Sequence, residues 1–160
     1  MIRRLIILIS FCSVMLSCKK DDDCNYSVSG VTVPAPEMSN LQAYVAANHP
    51  AAVLNATGGF YYEILAPGTG TKTPEICSDV RVKYEGRLTN GTKFDEELVG
   101  INFALGQLIT GWQRGLPLIK AGGIIKLYLP PTLGYGSNAV GVIPPNSILV
   151  FTIELLDVQN

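Results

Sequence analysis

From residue 60 onward, apolar and polar positions alternate along much of the chain with a period of two, which predicts β-strands. The clearest run has Val80, Val82 and Tyr84 separated by charged residues, which is typical of a strand with one buried and one solvent-facing side. The same criterion predicts four further strands, over residues 60–65, 101–105, 124–129 and 148–158. Asn90 and Gly91 favour a tight reversal, after which the chain returns through residues 92–95.

A helical spacing replaces this alternation before residue 50. Apolar residues recur at helical intervals at Met38, Leu41, Tyr44 and Val45. With Ser39 as the N-cap and Pro50 as the stop, this pattern predicts a short amphipathic helix over residues 39–48. The apolar side of this helix could pack on its own domain or on a second copy of the chain, and the sequence leaves both open.

A second short helix is predicted around Trp112, the only Trp of the chain. Trp112 falls in its first turn, Leu116 and Ile119 share its apolar side, and the pair Gly122 and Gly123 ends it. A Pro- and Gly-rich loop over residues 130–146 precedes the last strand. Strands with one central helix predict an α+β fold, an antiparallel twisted β-sheet wrapped around one short α-helix.

The N-terminal residues 1–17 are typical of a secretory signal peptide, with Arg3 and Arg4 before a short apolar run. Ser17 before Cys18 resembles a bacterial lipobox, in which the cysteine is lipidated and becomes the new N-terminus; cleavage without lipidation is the alternative. We therefore expect a lipidated acidic tail and linker over residues 18–36, a short helix and connector over residues 37–57, and one folded domain over residues 58–160.

Composition and charge exclude some classes of function. Of the 160 residues, 48% are hydrophobic and 16% charged, as in a globular protein. Removal of Arg3 and Arg4 leaves 10 of the 12 Lys and Arg residues against 13 Asp and Glu residues, a net charge of −3. No basic surface for nucleic acid is predicted.

The cysteines of the mature chain allow one disulfide. If Cys18 takes a lipid, Cys24 and Cys77 remain. An even number in an exported protein favours one disulfide, and two free thiols are the alternative.

The sequence lacks the residues that metal sites, nucleotide sites and catalytic nucleophiles usually need. We expect no cofactor and no metal. The chain has no paired Cys spacing and one histidine, His49, which lies at a predicted helix end next to Pro50. Hydrolysis by Asp95 with Glu96 or Glu97 is a weaker hypothesis than a solvated acidic turn.

Aromatic and branched side chains remain as the candidate site. They come from separate predicted elements: Tyr84, Phe94, Ile101, Phe103, Leu108, Ile109, Trp112, Tyr135, Val142, Ile143 and Phe151. Each of them alone is more often a core residue than a site residue. Together, and with the carboxyl group of Asp95 beside Phe94, they indicate a shallow aromatic pocket.

The chain resembles the FKBP-type peptidyl-prolyl cis-trans isomerases. Six segments occur in the order and approximate spacing of that family: residues 82–88, 91–95, 108–112, 134–136, 142–145 and 149–151. The likeness covers residues 58–158, nearly the whole mature domain. The charge block over residues 19–23 also resembles the acidic run of Bacteroidetes surface lipoproteins, and a plain solvated spacer is the alternative.

The resemblance implies a role for each site residue. Trp112 is expected to be the floor under the substrate proline ring, Asp95 and the Tyr135 hydroxyl the polar contacts, and the Ile109 N–H the donor to a substrate carbonyl. Tyr84 completes the catalytic set. The implied substrate-binding residues are Phe94, Ile101, Phe103, Leu108, Val142, Ile143 and Phe151. Ile101 stands where the family often has an aromatic residue.

The implied function is isomerisation of prolyl bonds in exported proteins, assisting their folding. The expected partners are proline-containing polypeptides, macrolide inhibitors and, through Cys18, the outer membrane at its periplasmic face or the cell surface. A non-catalytic chaperone or adaptor on the same fold is one alternative, and a structural lipoprotein with an aromatic core is another. The short predicted helix favours a monomer over the dimers that long helices form in some bacterial relatives.

Overall fold

A computed structural model describes residues 24–159. The predicted signal peptide, the predicted lipidation site Cys18 and the charge block over residues 19–23 lie outside these residues. Within the described part, no helix is long and apolar enough to cross a membrane.

One antiparallel sheet of six strands forms the centre of the protein. The strands are β1 (Val53–Asn55), β2 (Phe60–Ala66), β3 (Asp79–Leu88), β4 (Lys93–Ala104), β5 (Gly123–Leu129) and β6 (Leu149–Gln159). Their order in the sheet is β1-β2-β5-β6-β3-β4. Helix α1 (Ala35–Asn48) precedes the sheet, and helix α2 (Thr110–Gly115) lies between β4 and β5. The predicted α+β class with an antiparallel sheet is confirmed.

Both helices have ends that differ from the prediction. Helix α1 begins at Ala35 rather than Ser39. Pro36 lies in its first turn, where amide N–H groups have no acceptor within the helix, so the N–H group that proline lacks breaks no helical hydrogen bond. Helix α2 ends at Gly115 and passes into a 3-10 turn, Leu116–Leu118, instead of continuing to Gly122. Pro117 explains this early end, because its ring removes an N–H donor and crowds the preceding turn.

Two strands also differ from the prediction. The short strand β1 was not predicted. The return segment over residues 92–95 and the strand over residues 101–105 form one long strand, β4, whose register against β3 shifts between the pairs Tyr84–Glu97 and Val82–Ile101. This irregularity leaves Leu98 and Val99 exposed at the sheet edge.

Alternation along β5 and β6 separates two apolar cores on opposite faces of the sheet. Leu127 and Leu129 join the main core, which also contains Trp112 and the other buried residues of α2 and its 3-10 turn. Tyr128, between them, points to the other face and packs with Leu41 and Val45 of α1. Leu41 is fully buried, so α1 packs on its own domain within this chain.

Helix α2 lies close against β5. A Cβ atom on Gly115 would come within 2.6 Å of Leu127 Cδ1, and one on Gly111 would overlap the side chain of Leu129. A larger residue at either position would have to displace the leucine side chain that faces it. This spacing sets the depth at which Trp112 enters the main core.

The segment before α1, residues 24–34, is attached to the domain at several points; we call it the N-terminal arm. The structure joins Cys24 to Cys77 as a disulfide with Cα atoms 5.7 Å apart. Arg114 of α2 donates to the carbonyl oxygens of Ser29 at 2.5 Å and Val31 at 2.8 Å. These bonds fix the arm beside helix α2.

On the sheet face that α1 covers, His49 contacts two tyrosines. Its ring lies 4.6 Å from the ring of Tyr128, and its Nε2 atom is 3.3 Å from the Tyr44 hydroxyl. Burial lowers the pKa of His49, the nearby Lys126 lowers it further, and Glu63 opposes the shift. The neutral imidazole is therefore favoured in the folded protein.

Replacement of Cys24 and Cys77 by Ser should lower the melting temperature of the mature chain, residues 18–160. The disulfide links positions separated by 53 residues, and loop entropy sets an upper limit of about 4 kcal/mol on its contribution. Thermal unfolding followed by circular dichroism measures the change, with Cys18→Ser as the matched control. An unchanged melting temperature in the double variant would contradict a stabilising role for the disulfide.

Lowering the pH through the histidine range should destabilise the fold. Because the pKa of His49 is lower in the folded state than the ordinary 6.5, its contribution is fully present above about pH 6.5 and is lost as the pH falls toward the folded-state value. Urea unfolding at about pH 7.5 and about pH 5.5 measures this difference. His49→Phe keeps a ring on Tyr128 and should flatten the dependence; an equally steep dependence in that variant would assign it to other groups.

Candidate active site

The site is an open cavity of about 270 Å³ between helix α2 and strands β3, β4 and β6. Eight of the predicted site residues line it: Tyr84, Asp95, Phe103, Leu108, Ile109, Trp112, Tyr135 and Phe151. They come from five parts of the chain that only the folded sheet brings together. This arrangement is a small aromatic pocket with few polar groups.

Trp112 is the centre of this pocket. Its ring meets the rings of Tyr84 and Phe151 edge to face, with centroids 5.2 and 5.3 Å away and interplanar angles of 81° and 89°. Phe103 makes a similar contact at 6.4 Å. Such edge-to-face contacts hold each ring in one orientation, so the pocket is largely preformed.

The polar side chains of the pocket are Tyr84, Asp95 and Tyr135. The Tyr84 hydroxyl donates to Asp95 Oδ2 at 2.7 Å, and Asp95 Oδ1 accepts from the Glu96 N–H at 2.9 Å. Burial and this hydrogen bond raise the pKa of Tyr84. Burial and the charge of Asp95 raise the pKa of Tyr135. Both phenols therefore stay neutral donors at physiological pH.

The segment before helix α2, residues 105–109, forms the remaining wall; we call it the wall segment. The Leu108 N–H donates to the Leu105 carbonyl at 3.1 Å, and the Ile109 carbonyl accepts from the N–H of Trp112 at 2.9 Å. Within residues 24–159, no acceptor is found for the Ile109 N–H. This backbone donor is free to bind a ligand in the cavity.

Four predicted site residues do not line the cavity. Phe94 lies behind it and packs edge to face on Phe151 at 5.5 Å. Ile143 is buried in the main core, whereas Ile101 and Val142 are exposed by 38% and 64%. Their roles in substrate binding remain predictions.

One buried residue beside the site was not predicted from the sequence. Gln113, next to Trp112, is only 8% exposed, and its side chain donates to carbonyl oxygens of the wall segment. A glutamine in a helix is usually solvent-exposed, so the pattern of the sequence carries no signal for its burial.

Another cavity, of about 390 Å³, lies between the N-terminal arm, α1 and the β1–β2 hairpin. Its charged residue, Arg114, donates to three backbone carbonyls, and none of its lining residues is aromatic. Among residues 24–159, no cluster of His, Cys, Asp or Glu side chains is suited to a metal ion. The aromatic cavity is therefore the stronger candidate site.

Comparison with known proteins finds bacterial peptidyl-prolyl cis-trans isomerases. FkpA of Buchnera aphidicola subsp. Schizaphis graminum, an FKBP-type peptidyl-prolyl cis-trans isomerase, is 46% identical over 111 residues, which cover 68% of this chain and 44% of the relative. The crystal structure of FkpA from Escherichia coli matches with a TM-score of 0.68 and 38% identity, over 78% of this chain and 58% of that one. The chain spans about half the length of the curated relatives that it matches.

A shorter solved structure is covered completely. The peptidyl-prolyl cis-trans isomerase from Pseudomonas syringae pv. tomato matches with a TM-score of 0.68 and 31% identity, over 82% of this chain and 100% of that one. The family model for FKBP-type peptidyl-prolyl cis-trans isomerases matches residues 70–156, which include all eight residues that line the aromatic cavity. The family predicted from the sequence is confirmed: the chain belongs to the FKBP-type peptidyl-prolyl cis-trans isomerases.

Proposed function

We propose that this protein isomerises X-Pro bonds in exported polypeptides and thereby assists their folding. The observation that carries the proposal is the aromatic cavity with Trp112 at its centre and a free backbone donor at Ile109. No covalent bond has to form and no proton has to move, so a histidine or a nucleophile is not needed.

Rotation about an X-Pro bond is slow because twisting the amide removes its resonance, at a cost of about 18–20 kcal/mol. The planar amide is more charge-separated than the twisted one. Transfer from water to an aromatic pocket therefore destabilises the planar form more than the twisted form. A decrease of about 7 kcal/mol in the barrier corresponds to roughly five decades in rate.

Five residues at the cavity have a proposed part in this process. Trp112 supports the proline ring, and the Ile109 N–H binds a substrate carbonyl. Asp95 and the Tyr135 hydroxyl are the polar contacts to the rotating amide. Tyr84, which donates to Asp95 at 2.7 Å, orients that carboxylate. The cavity is also the proposed site for macrolide inhibitors.

The proposed location is outside the cytoplasm, with a lipid on Cys18 as the anchor to the outer membrane. The disulfide between Cys24 and Cys77 supports an oxidising compartment. Because Leu41 and Val45 pack against Tyr128, helix α1 has little exposed apolar surface left for another chain, which supports a monomer.

The mature chain, residues 18–160, should accelerate cis-to-trans isomerisation of a short X-Pro peptide, and Trp112→Leu should reduce kcat/KM. We expect a loss of about tenfold to a hundredfold, because the proline ring loses its flat aromatic support. A protease-free peptide assay measures the rate. Tyr61→Leu, a matched aromatic change on the sheet face covered by α1, should keep the wild-type rate.

The same assay tests the proposal against its alternatives. A folded wild-type protein without acceleration, but with macrolide quenching of Trp112 fluorescence, would replace catalysis by proline-segment binding. Absence of both acceleration and quenching would mean that the aromatic side chains only form a core.

The isomerisation rate should not vary with pH between about pH 7 and about pH 9. The pKa values of Tyr84 and Tyr135 are both raised above the ordinary value of 10, so these phenols remain protonated across that range. The peptide assay repeated at several pH values measures the profile. A sigmoidal or bell-shaped change within this range would indicate a titrating catalytic group and contradict the mechanism.

A further inference from the structure

Gln113 makes two hydrogen bonds that link helix α2 to the wall segment. Its Nε2 atom donates to the carbonyl oxygen of Leu108 at 2.8 Å and to that of Gly106 at 3.1 Å. The side chain is only 8% exposed, so water competes little for these bonds. Because both neighbours are carbonyl oxygens, the nitrogen end of the carboxamide must face them.

The other end of this carboxamide has no partner. Gln113 Oε1 is buried and accepts no hydrogen bond from any group in residues 24–159. An unpaired buried acceptor costs stability, on the order of 1–3 kcal/mol. An apolar side chain of the same length would avoid this cost but would leave the Leu108 and Gly106 carbonyls without their donor. The two effects oppose each other, so the role of Gln113 is better sought in what its donor bonds orient than in net stability.

The bond to Leu108 acts directly on the donor of the proposed active site. The Leu108 carbonyl and the Ile109 N–H belong to one peptide group, and within residues 24–159 every peptide bond is trans. In a planar trans peptide the C=O and N–H bonds point in opposite directions. Fixing the Leu108 carbonyl on Gln113 therefore fixes the direction of the Ile109 N–H on the opposite side.

The same bond also changes the strength of the donor. A carbonyl that accepts a hydrogen bond withdraws charge from its peptide group, so the N–H of that group becomes a better donor. The Ile109 carbonyl in turn accepts from the N–H groups of Trp112 and Gln113, at 2.9 and 3.2 Å. The peptide groups on both sides of Ile109 are thus held by the first turn of helix α2.

The N-terminal arm supports the wall segment from outside. The ring of Tyr26 lies on Gly106, where a Cβ atom would overlap it, and the Tyr26 hydroxyl accepts from Gln107 Nε2 at 2.5 Å. The wall segment is therefore held between the Tyr26 side chain and the Gln113 side chain. Of these two side chains, Gln113 is the one that donates to the Leu108 carbonyl, in the same peptide group as the Ile109 N–H.

We propose that Gln113 is a positioning residue of this isomerase, which orients and polarises the Ile109 N–H for the substrate carbonyl through the Leu108 carbonyl. Gln113 itself lies behind the wall segment and acts through it. The inference rests on the proposed function of the aromatic cavity, and it adds a residue whose effect on catalysis should exceed its effect on stability.

The first variant for the test is Gln113→Met, which keeps the length of the side chain and removes the donor. We expect kcat/KM for an X-Pro peptide to fall about tenfold, since one fixed donor to the reacting amide is weakened rather than deleted. The free energy of unfolding should change little, because loss of the unpaired Oε1 offsets the loss of the donor to the Gly106 and Leu108 carbonyls. In a ¹⁵N spectrum the Ile109 amide proton should move upfield, which a purely structural role would not require.

The second variant, Gln113→Glu, tests the donor by pH. The introduced carboxylate cannot donate to Leu108, but the protonated acid can, and burial raises the pKa of such a group. Its kcat/KM relative to wild type should rise about tenfold as the pH falls from about 8 to about 5.5. Gln113→Met should show no such recovery. Gln42→Glu, the same change on the exposed side of α1, should match wild type throughout.

The outcomes separate the inference from the proposed function. Wild-type kcat/KM in a folded Gln113→Met protein, or an unmoved Ile109 amide, would overturn the positioning role. If the folded wild-type protein is inactive, the proposed function is wrong. The shift of the Ile109 amide proton in Gln113→Met then still tests whether Gln113 polarises that N–H group. If neither variant folds, hydrogen exchange of the wild-type Gln113 carboxamide decides: slow exchange supports the two bonds, and exchange at the rate of exposed Gln42 overturns them.

Discussion

The close packing of helix α2 against strand β5 is the constraint on which the site depends. Cβ atoms on Gly111 and Gly115 would lie 2.3 and 2.6 Å from the side-chain ends of Leu129 and Leu127, so a larger residue there would push these leucines aside. In an ordinary helix, glycine at these positions is unfavourable by up to about 1 kcal/mol each relative to alanine. The close approach of α2 to β5 offsets this cost, because it lets Trp112 enter the core. The centroid of the Trp112 ring lies 5.2 to 6.4 Å from the centroids of three other aromatic rings. A helix held farther out would leave the pocket without a floor.

The polar groups of the site are fixed in advance rather than titrated. Tyr84 is bonded to Asp95 at 2.7 Å, and the pKa of Tyr84 is raised, so proton transfer between them is unfavourable at physiological pH. The Ile109 donor belongs to the backbone and cannot titrate. A site of this kind lowers a rotational barrier through a constant electrostatic environment, which needs little reorganisation during the reaction. The rigid aromatic packing is therefore part of the mechanism, because it keeps this environment constant.

The sequence predicted those features that depend on local periodicity and on family motifs. The alternation at Val80, Val82 and Tyr84 predicts strand β3, and the predicted site residues include all eight residues that line the cavity. Features that depend on backbone irregularity were not predicted. The register shift in β4 before Ile101, and the early end of α2 at Pro117, arise from tertiary pairing and ring sterics rather than from the pattern of apolar residues. Gln113 was not predicted for a related reason, since its two acceptors lie outside its own helix, in the wall segment.

The N-terminal arm connects residues outside the family match to the site within it. The family match begins at residue 70, whereas Cys24, Tyr26 and the Ser29 carbonyl all bond to groups beyond that point. An isolated extended arm would lose these contacts easily, because ordering each residue costs about 1–2 kcal/mol of backbone entropy. The disulfide keeps the arm near its contacts and so reduces that cost. The N-terminal arm is thereby held against the wall segment of the pocket, although it lies outside the family match.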